Sequence, residues 1–469
     1  KIELLKEQRT SLINTTVTKG LDPNVGMKDS GIEWIGEIPS GWSVKRLKYT
    51  SKILPSNVDK HIFPEEIQVR LCNYTDVYYN ELIDENTQLT KGSCNQNEYN
   101  KLWLREGDVI ITKDSETSDD IGIPTEVKEN LTDVVCGYHL TLIRPLDVVG
   151  SYIFRFIQSD RIRRYFEINS DGVTRFGLGK PTIQNMYLPI PPLQEQQQIS
   201  DYLDHKTLNI DTLIKKTEQK IELLKEQRIS LISTTVTKGL NSNVEMKDSG
   251  VEWIGEIPSG WSLSKIKYLP NEEKNSFTDG DWIESKDLSD SGIRYITSGN
   301  IGSGNYKEQG SGYITEETFN KLKCTELFPG DLVMSRLFLP VGRSCILPNL
   351  NNRVITAVDN VILRPKECYS KFFLNFFFNS FYYSEHSKLI SRGVTLTRIS
   401  RGMLGNVHVV VPPLQEQQQI VDYLDKETSR IDKLVDIESK RIVLLKEYRQ
   451  SLISEVVTGK VDVRDEVLV

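Results

Sequence analysis

KIELLKEQRISLISTTVTKG (220–239) also stands at the head of the chain as KIELLKEQRTSLINTTVTKG (1–20), with 18 of 20 positions identical. A looser third copy, RIVLLKEYRQSLISEVVTGK, occupies 441–460. Working outward, MKDSGIEWIGEIPSGW (27–42) returns as MKDSGVEWIGEIPSGW (246–261), and PPLQEQQQISDYLDH (191–205) returns as PPLQEQQQIVDYLDK (412–426). The offset is 219 residues up to Trp42/Trp261 and 221 from Pro191/Pro412, so the stretches between the shared blocks differ by only two residues in length. Their sequences nevertheless mostly differ. A period near 220 is too long for a solenoid. It describes two similar halves, each with a shared frame and a private insert.

The frame reads as long helices. Leu203, Ile210, Thr217, Leu224 and Leu231 recur every seven residues, as do Leu424, Ile431, Glu438, Leu445 and Leu452. Ile214 and Ile221 flank the first stripe, and Val435 and Ile442 the second. Apolar stripes at this spacing, among Lys, Glu and Gln, predict coiled-coil packing. Pro191-Pro192 and Pro412-Pro413 are natural helix starts, and Gly239 and Gly459 natural stops. Each helix would hold roughly 44 residues and run about 65 Å. Helices of this kind need a partner, and an antiparallel pair related by a pseudo-two-fold is the simplest arrangement.

The inserts read as mixed α/β. Both hold a turn-then-strand signal (EGDVIIT, 106–112; PGDLVMS, 329–335) and an apolar strand closed by Arg-Pro (LTLIRP, 140–145; NVILRP, 360–365). VRLCNYTDV (69–77) and IRYITSGNI (293–301) align as a strand entering a loop. Each insert continues into an aromatic-rich helix (152–166; 371–386), then a Gly-Val-Thr loop (172–174; 393–395), an apolar strand and Pro-Pro.

Composition narrows the function. The 469 residues carry 58 basic and 65 acidic side chains, for a net charge of −7, with 38% apolar residues. That is globular composition, enough for several cores. The longest apolar run, KFFLNFFFNSFYY (371–383), is too short and too polar to span a bilayer. The six cysteines form no CxxC pair, so they read as buried free thiols in a reducing cytoplasm. The five histidines show no metal-ligand spacing. GVTRFGLGKPT (172–182) fails as a phosphate loop, because Leu178 follows its second glycine and Pro181 its lysine. Amino-methyltransferase tetrapeptides are absent. Asp119, Asp120, Glu126 and Lys128 could suggest a nuclease set, but the second half offers no counterpart. A divergent pair of inserts on a shared frame, without site chemistry, points to a binding protein.

Charge locates the binding loops. The first insert is net −3 and the second +3. Within 155–180, however, Arg155, Arg161, Arg163, Arg164, Arg175 and Lys180 meet only three acids, and within 386–401 Lys388, Arg392, Arg398 and Arg401 meet none. Both windows surround the Gly-Val-Thr loop, which adds Thr395. Matching basic loops suit phosphate and base-edge contacts, with Arg175 and Lys180 in one loop and Arg398 and Arg401 in the equivalent loop of the other insert. Asn73, Tyr74 and Asp76 in the first insert and Ser298 and Asn300 in the second are base-reading candidates, joined by Lys113, Arg336 and Arg343 behind the Gly-Asp strands.

The blocks DSGxEWIGEIPSGW and PPLQEQQQIxDYLD, the xIELLKEQRxSLISxxVTKG helix and two unlike inserts of about 150 residues resemble the specificity (S) subunit of type I restriction–modification systems. The resemblance covers nearly the whole chain. It implies an α+β protein: two similar mixed α/β target-recognition domains separated by a pair of long antiparallel coiled-coil helices. The segments are then 1–26, a partial frame helix and linker; 27–190, the first recognition domain; 191–245, the first frame helix and linker; 246–411, the second recognition domain; and 412–469, the second frame helix and tail. The resemblance also implies a cytoplasmic, non-catalytic subunit that reads a split, asymmetric site on double-stranded DNA. Its partners would be two modification subunits, which methylate adenine with S-adenosylmethionine, and two restriction/translocation subunits, which use ATP and Mg; it would hold no cofactor itself. Gln194, Glu195, Gln415 and Glu416, at the frame-helix starts, are docking candidates for the methyltransferase subunits. The competing reading is a non-enzymatic coiled-coil scaffold without sequence-specific DNA binding. Such chains commonly begin near the DSGxEWIGE block, here close to Met27. A native leading fragment, an expression boundary and a gene rearrangement would each account for the residues before it.

Overall fold

The computed structural model describes residues 26–309, 312–393 and 396–464. The leading fragment, apart from Gly26, and Thr395 lie outside them. The chain divides into two compact units, Lys1–Thr217 with Lys440–Val469, and Glu218–Ser439. The division falls inside the frame helices Leu193–Lys238 and Leu414–Val457, so each unit combines one insert with the stretches of both helices that pack on it.

In the first unit, a five-stranded sheet runs in the order Ser51–Pro55, Leu140–Pro145, Val109–Thr112, Pro124–Val127, Leu82–Ile83. A four-stranded sheet runs Thr90–Cys94, Ile67–Cys72, Leu131–Cys136, Trp103–Leu104. Strand Ser43–Arg46, just after the Gly-Trp block, pairs antiparallel with Tyr187–Ile190 and so closes the insert at its base. The core joins Ile35, Ile38 and Trp42 of the repeated block to the helix Gly150–Ile157, to Leu203, Ile210 and Ile214, and to Leu452, Ile453, Val456 and Val457. Asp211 bonds Arg449 at 3.0 Å.

The second unit repeats the plan with smaller sheets. Its main sheet runs Phe277–Asp279, Asn360–Leu363, Leu332–Ser335, Ser344–Ile346, and a three-stranded sheet runs Gly312–Ile314, Ile293–Ile296, Val354–Thr356. Ser262–Lys265 pairs with His408–Val411. Ile232 and Val236 of one frame helix share a core with Ile420, Val421 and Leu424 of the other and with Trp261. Here Arg228 bonds Asp432 at 2.9 Å, and Lys220 pairs with Glu438. As numbering rises on one helix it falls on the other, which makes the packing antiparallel. The seven-residue stripes face inward: Thr217 and Glu438, the two polar members, are 4% and 6% exposed.

The aromatic-rich segments differ from their reading as single helices. The first splits into Gly150–Ile157 and Asp160–Asn169, the second into Lys371–Phe378 and Phe381–Ile390. Ser159 and Ser380 break them by adopting extended backbone, each hydroxyl donating to the carbonyl three residues back (Phe156 and Phe377, 2.7 Å). The repeated SLIS serines then complete the joint. Ser454 Oγ accepts the Asp160 N–H (3.0 Å) and Ser233 Oγ accepts the Phe381 N–H (2.8 Å).

One carboxyl in the second unit is out of its usual range. Burial pushes Asp281 up to about 6, although its carboxylate accepts the Thr325 N–H at 2.9 Å. A folded pKa above the unfolded one means that ionisation opposes folding. Stability of the second unit should therefore decline as pH rises from about 4 to about 6. Asp281→Asn should remove that decline in the opening free energy that hydrogen exchange reads, after allowing for the intrinsic rate at each pH, in the strand Ile293–Ile296; an unchanged slope would refute it.

Candidate nucleic-acid interface

The two inserts bring the same backbone positions together. In the first, the Lys113 N–H donates to the His139 carbonyl (3.0 Å) and the Leu178 N–H to the Lys113 carbonyl (2.7 Å). In the second, Arg336 N–H donates to Asp359 (2.8 Å) and Ile399 N–H to Arg336 (3.0 Å). So Lys113 matches Arg336, His139 matches Asp359, and Leu178 matches Ile399, each of which returns to the first residue of its set. Lys180 and Arg401 each begin the short helix after the Gly-Val-Thr loop, Lys180–Asn185 and Arg401–Gly405, so they are equivalent. Arg175 is not the counterpart of Arg398. The ladder pairs Asp171 with Gly177 and Arg392 with Arg398, which aligns Gly177 with Arg398.

The side chains at this shared place differ. Asp114 bonds His139 at 2.6 Å, and Arg175 Nη2 lies 3.1 Å from His139 Nδ1. Tyr74, Tyr78, Asp114, Asp120, His139 and Arg175 line one open cleft. The Tyr78 hydroxyl donates to Asp120 at 2.7 Å, and that bond pushes its pKa up to about 12. Lys113 lies over the Tyr138 ring (5.1 Å) and donates to the Ser56 carbonyl (3.2 Å). In the second unit, Arg398 pairs with Asp359 (2.8 Å), and Arg336 and Arg401 both reach Asp279 (3.2 and 3.4 Å).

Several candidates from the sequence hold the fold instead. Arg336 is 5% exposed and donates to the Val358 carbonyl (2.6 Å), and burial lowers its pKa. Arg343 donates to the carbonyls of Ile301 (2.7 Å), Leu337 (3.0 Å) and Ser298 (2.8 Å). Arg161 donates to the carbonyls of Trp34 (2.6 Å) and Ile35 (2.7 Å), fastening the repeated block to the insert. Ser298 is buried on Asn360 (2.9 Å), and the fully buried Asn300 donates to the Lys307 and Gln309 carbonyls (3.0 and 2.6 Å). Asn73 and Asp76 form a capping box that starts the helix Tyr74–Tyr79. These groups already have partners, and a buried group that gives up its partner loses more than it gains. Arg163, Arg164, Lys180, Lys388 and Arg392 are exposed.

The docking candidates divide in the same way. Glu416 accepts the Trp261 indole N–H (2.9 Å), and Glu195 sits beside Trp42, where burial raises its pKa. Gln194 and Gln415 are exposed. The sequence reading passed over the next glutamines. Gln196 accepts the Val149 N–H (2.9 Å) and donates to Pro191 (2.9 Å); Gln417 accepts the Ser370 N–H (2.7 Å) and donates to Pro412 (2.8 Å). Each fixes the start of an insert helix to a frame helix. Their repetition in both PPLQEQQQ blocks was the available signal.

Among the described residues, no group of His, Cys, Asp or Glu is placed to hold a metal ion, and no helix is long and apolar enough to cross a membrane. Five of the cysteines are buried and Cys368 is exposed. One α/β scaffold built twice, with different side chains at equivalent loops, defines a two-domain recognition protein.

The chain belongs to the family described as the type I restriction modification DNA specificity domain, which matches residues 39–223 and 259–447. It is 25% identical over 291 residues to the type I restriction enzyme MjaVIII specificity subunit of Methanocaldococcus jannaschii, covering 61% of this chain and 64% of that relative. It is 22% identical over 449 residues to the MjaIX specificity subunit of the same organism, covering 92% and 96%. A chain from a solved structure concerned with complex assembly and conformational transition of the type I R-M system shares its fold, with a TM-score of 0.69 at 17% identity, covering 90% of this chain and 99% of that one.

Proposed function

We propose that each unit reads one part of a two-part, asymmetric site on double-stranded DNA, and that the repeated frame holds the modification and restriction/translocation subunits of a cytoplasmic restriction–modification complex. The observation that carries this is the position shared by His139 and Asp359. Identical backbone bonds hold it in both units, while the surrounding groups change from Asp114, His139 and Arg175 to Asp279, Asp359, Arg398 and Arg401. Arginine suits guanine O6 and N7, and a carboxylate suits the cytosine amino group, so the two units present different base-edge chemistry on one scaffold. S-adenosylmethionine, ATP and Mg would belong to the partner subunits. Two frame copies offer two equivalent docking places, with Gln194 and Gln415 as their exposed marks.

Arg398→Ala tests the reading, in the assembled complex with a panel of single-base variants of its site. The expected result is a loss of about 1–3 kcal/mol of discrimination confined to one base pair. An equal loss over all sequences would make Arg398 a phosphate contact. No loss at all would refute the assignment of this loop. A scaffold without sequence-specific binding would show no preference among the variants even before mutation.

A further inference from the structure

We propose that residues 1–20 are a second occupant of the groove that residues 441–460 fill in the first unit, so that the two ends of the chain compete for one place. The groove is defined by what 441–460 does there. Leu452, Ile453, Val456 and Val457 enter the core beside Ile35, Ile38 and Trp42. Ser454 Oγ accepts the Asp160 N–H, the Val457 carbonyl accepts the Tyr152 hydroxyl (3.0 Å), and Arg449 bonds Asp211 (3.0 Å).

The second unit shows the same groove filled by the chain segment that directly precedes its own repeated block. Ile232 and Val236 enter the core beside Ile257 and Trp261, Ser233 Oγ accepts the Phe381 N–H, and Arg228 bonds Asp432. There, Lys220–Gly239 leads through six residues into the block that starts at Met246. Residues 1–20 copy that segment at 18 of 20 positions and lead through six residues into the matching block at Met27. By covalent order, therefore, residues 1–20 stand to the first unit as 220–239 stand to the second.

The residues that make the contacts are present in 1–20. Arg9 stands for Arg449, Leu12 and Ile13 for Leu452 and Ile453, and Val17 for Val457. Asn14 stands for Ser454 and carries an oxygen that can accept the same N–H. Thr16 replaces Val456, but the second unit has threonine at that place, Thr235, buried at 5%. One groove thus has two sequences fitted to it. Docking of 1–20 would release 441–460 with its apolar face, leaving the second frame helix held by the second unit alone.

The test is a double-mutant cycle in the full chain. Leu452→Asp places a charge in the groove when 441–460 occupies it, and Leu12→Asp does the same for 1–20. The readout is hydrogen-exchange protection of the first unit, followed at the Asp160 amide, which is bonded to the segment, and over Gly150–Ile157. Competition predicts that Leu452→Asp alone keeps most of the protection, that Leu12→Asp alone changes nothing, and that the pair together lose at least tenfold more protection than the two single changes combined. If Leu452→Asp alone loses as much as the pair, residues 1–20 do not enter the groove. The Leu231→Asp change, which strikes the equivalent position in the second unit and is combined with Leu12→Asp so that the matching copy at 1–20 cannot stand in, is the control: the second unit should lose protection outright. If it does not, a charge at this position is tolerated and the cycle rejects the proposed occupancy.

Discussion

Asp108→Ala should destabilise the first unit by about 3–5 kcal/mol, the range for removing one partner of a buried ion pair. Asp108 is 1% exposed in its side chain and Arg144 11%. The guanidinium donates to both carboxylate oxygens, at 2.9 and 2.7 Å, and to the Trp103 carbonyl at 2.6 Å. The same carboxylate accepts the Arg105 N–H at 2.9 Å and so shapes the turn entering Val109–Thr112. The alanine would leave a buried guanidinium without its counter-ion, and the turn without its cap. Asp331 and Arg364 repeat the arrangement, at 2.9 and 2.7 Å, with the Phe328 N–H on Asp331 at 2.9 Å. Asp331→Ala should therefore act on the second unit alone. Because two units unfold, a single two-state midpoint is not defined, and hydrogen exchange within each sheet is the measure. Asp108→Ala combined with Arg144→Met should recover much of the loss, since the uncompensated charge goes too. By contrast, Glu316→Ala breaks the exposed pair with Arg353 and should cost about 0–1 kcal/mol. A loss for Asp108→Ala as small as that would show the buried pair to be dispensable.

These pairs explain why EGD and PGD recur with IRP and LRP, a correspondence that the sequence showed only as strands. The strands were legible because a short apolar run after a turn has few alternatives. The pairing was not, because the partners lie 36 and 33 residues apart and nothing local marks them. The frame helices were legible for the opposite reason: a seven-residue stripe is a local pattern repeated until chance is excluded. The interface was the least legible. An arginine that holds carbonyls, as Arg343 does, has the same local sequence as one that could hold phosphates. Only the fold tells them apart. The buried Arg336 and the exposed Arg398 both contact carboxylates, yet only Arg398 has a face left for a ligand.

That distinction sets the second large effect. Arg164, Lys180, Lys388 and Arg392 are exposed, and among the described residues their side chains hold no ion pair. Lys180, Lys388 and Arg392 border the two loops that carry the proposed reading groups, and Arg164 stands on the helix Asp160–Asn169 that leads into the first of them. A protein–phosphate contact releases condensed counterions, and each lowers the slope of log affinity against log salt by about 0.9. Replacing all four by glutamine should flatten that slope by about three to four. Between 50 and 200 mM salt, a fourfold change, the parent should therefore lose about a hundredfold more affinity than the variant. The loss at low salt should be the same for matched and mismatched DNA, because phosphates carry no sequence. Glutamine removes the charge but leaves an exposed polar side chain that can still hydrogen-bond, so the fold should be unaffected, and hydrogen exchange would verify this. Arg336→Gln and Arg343→Gln form the opposing control: they withdraw buried donors from carbonyls, so they should lower stability. An unchanged salt slope in the fourfold variant would move the DNA away from these loops. A flattened slope with unchanged discrimination would leave Arg175, His139, Asp359 and Arg398 as the groups that choose the sequence.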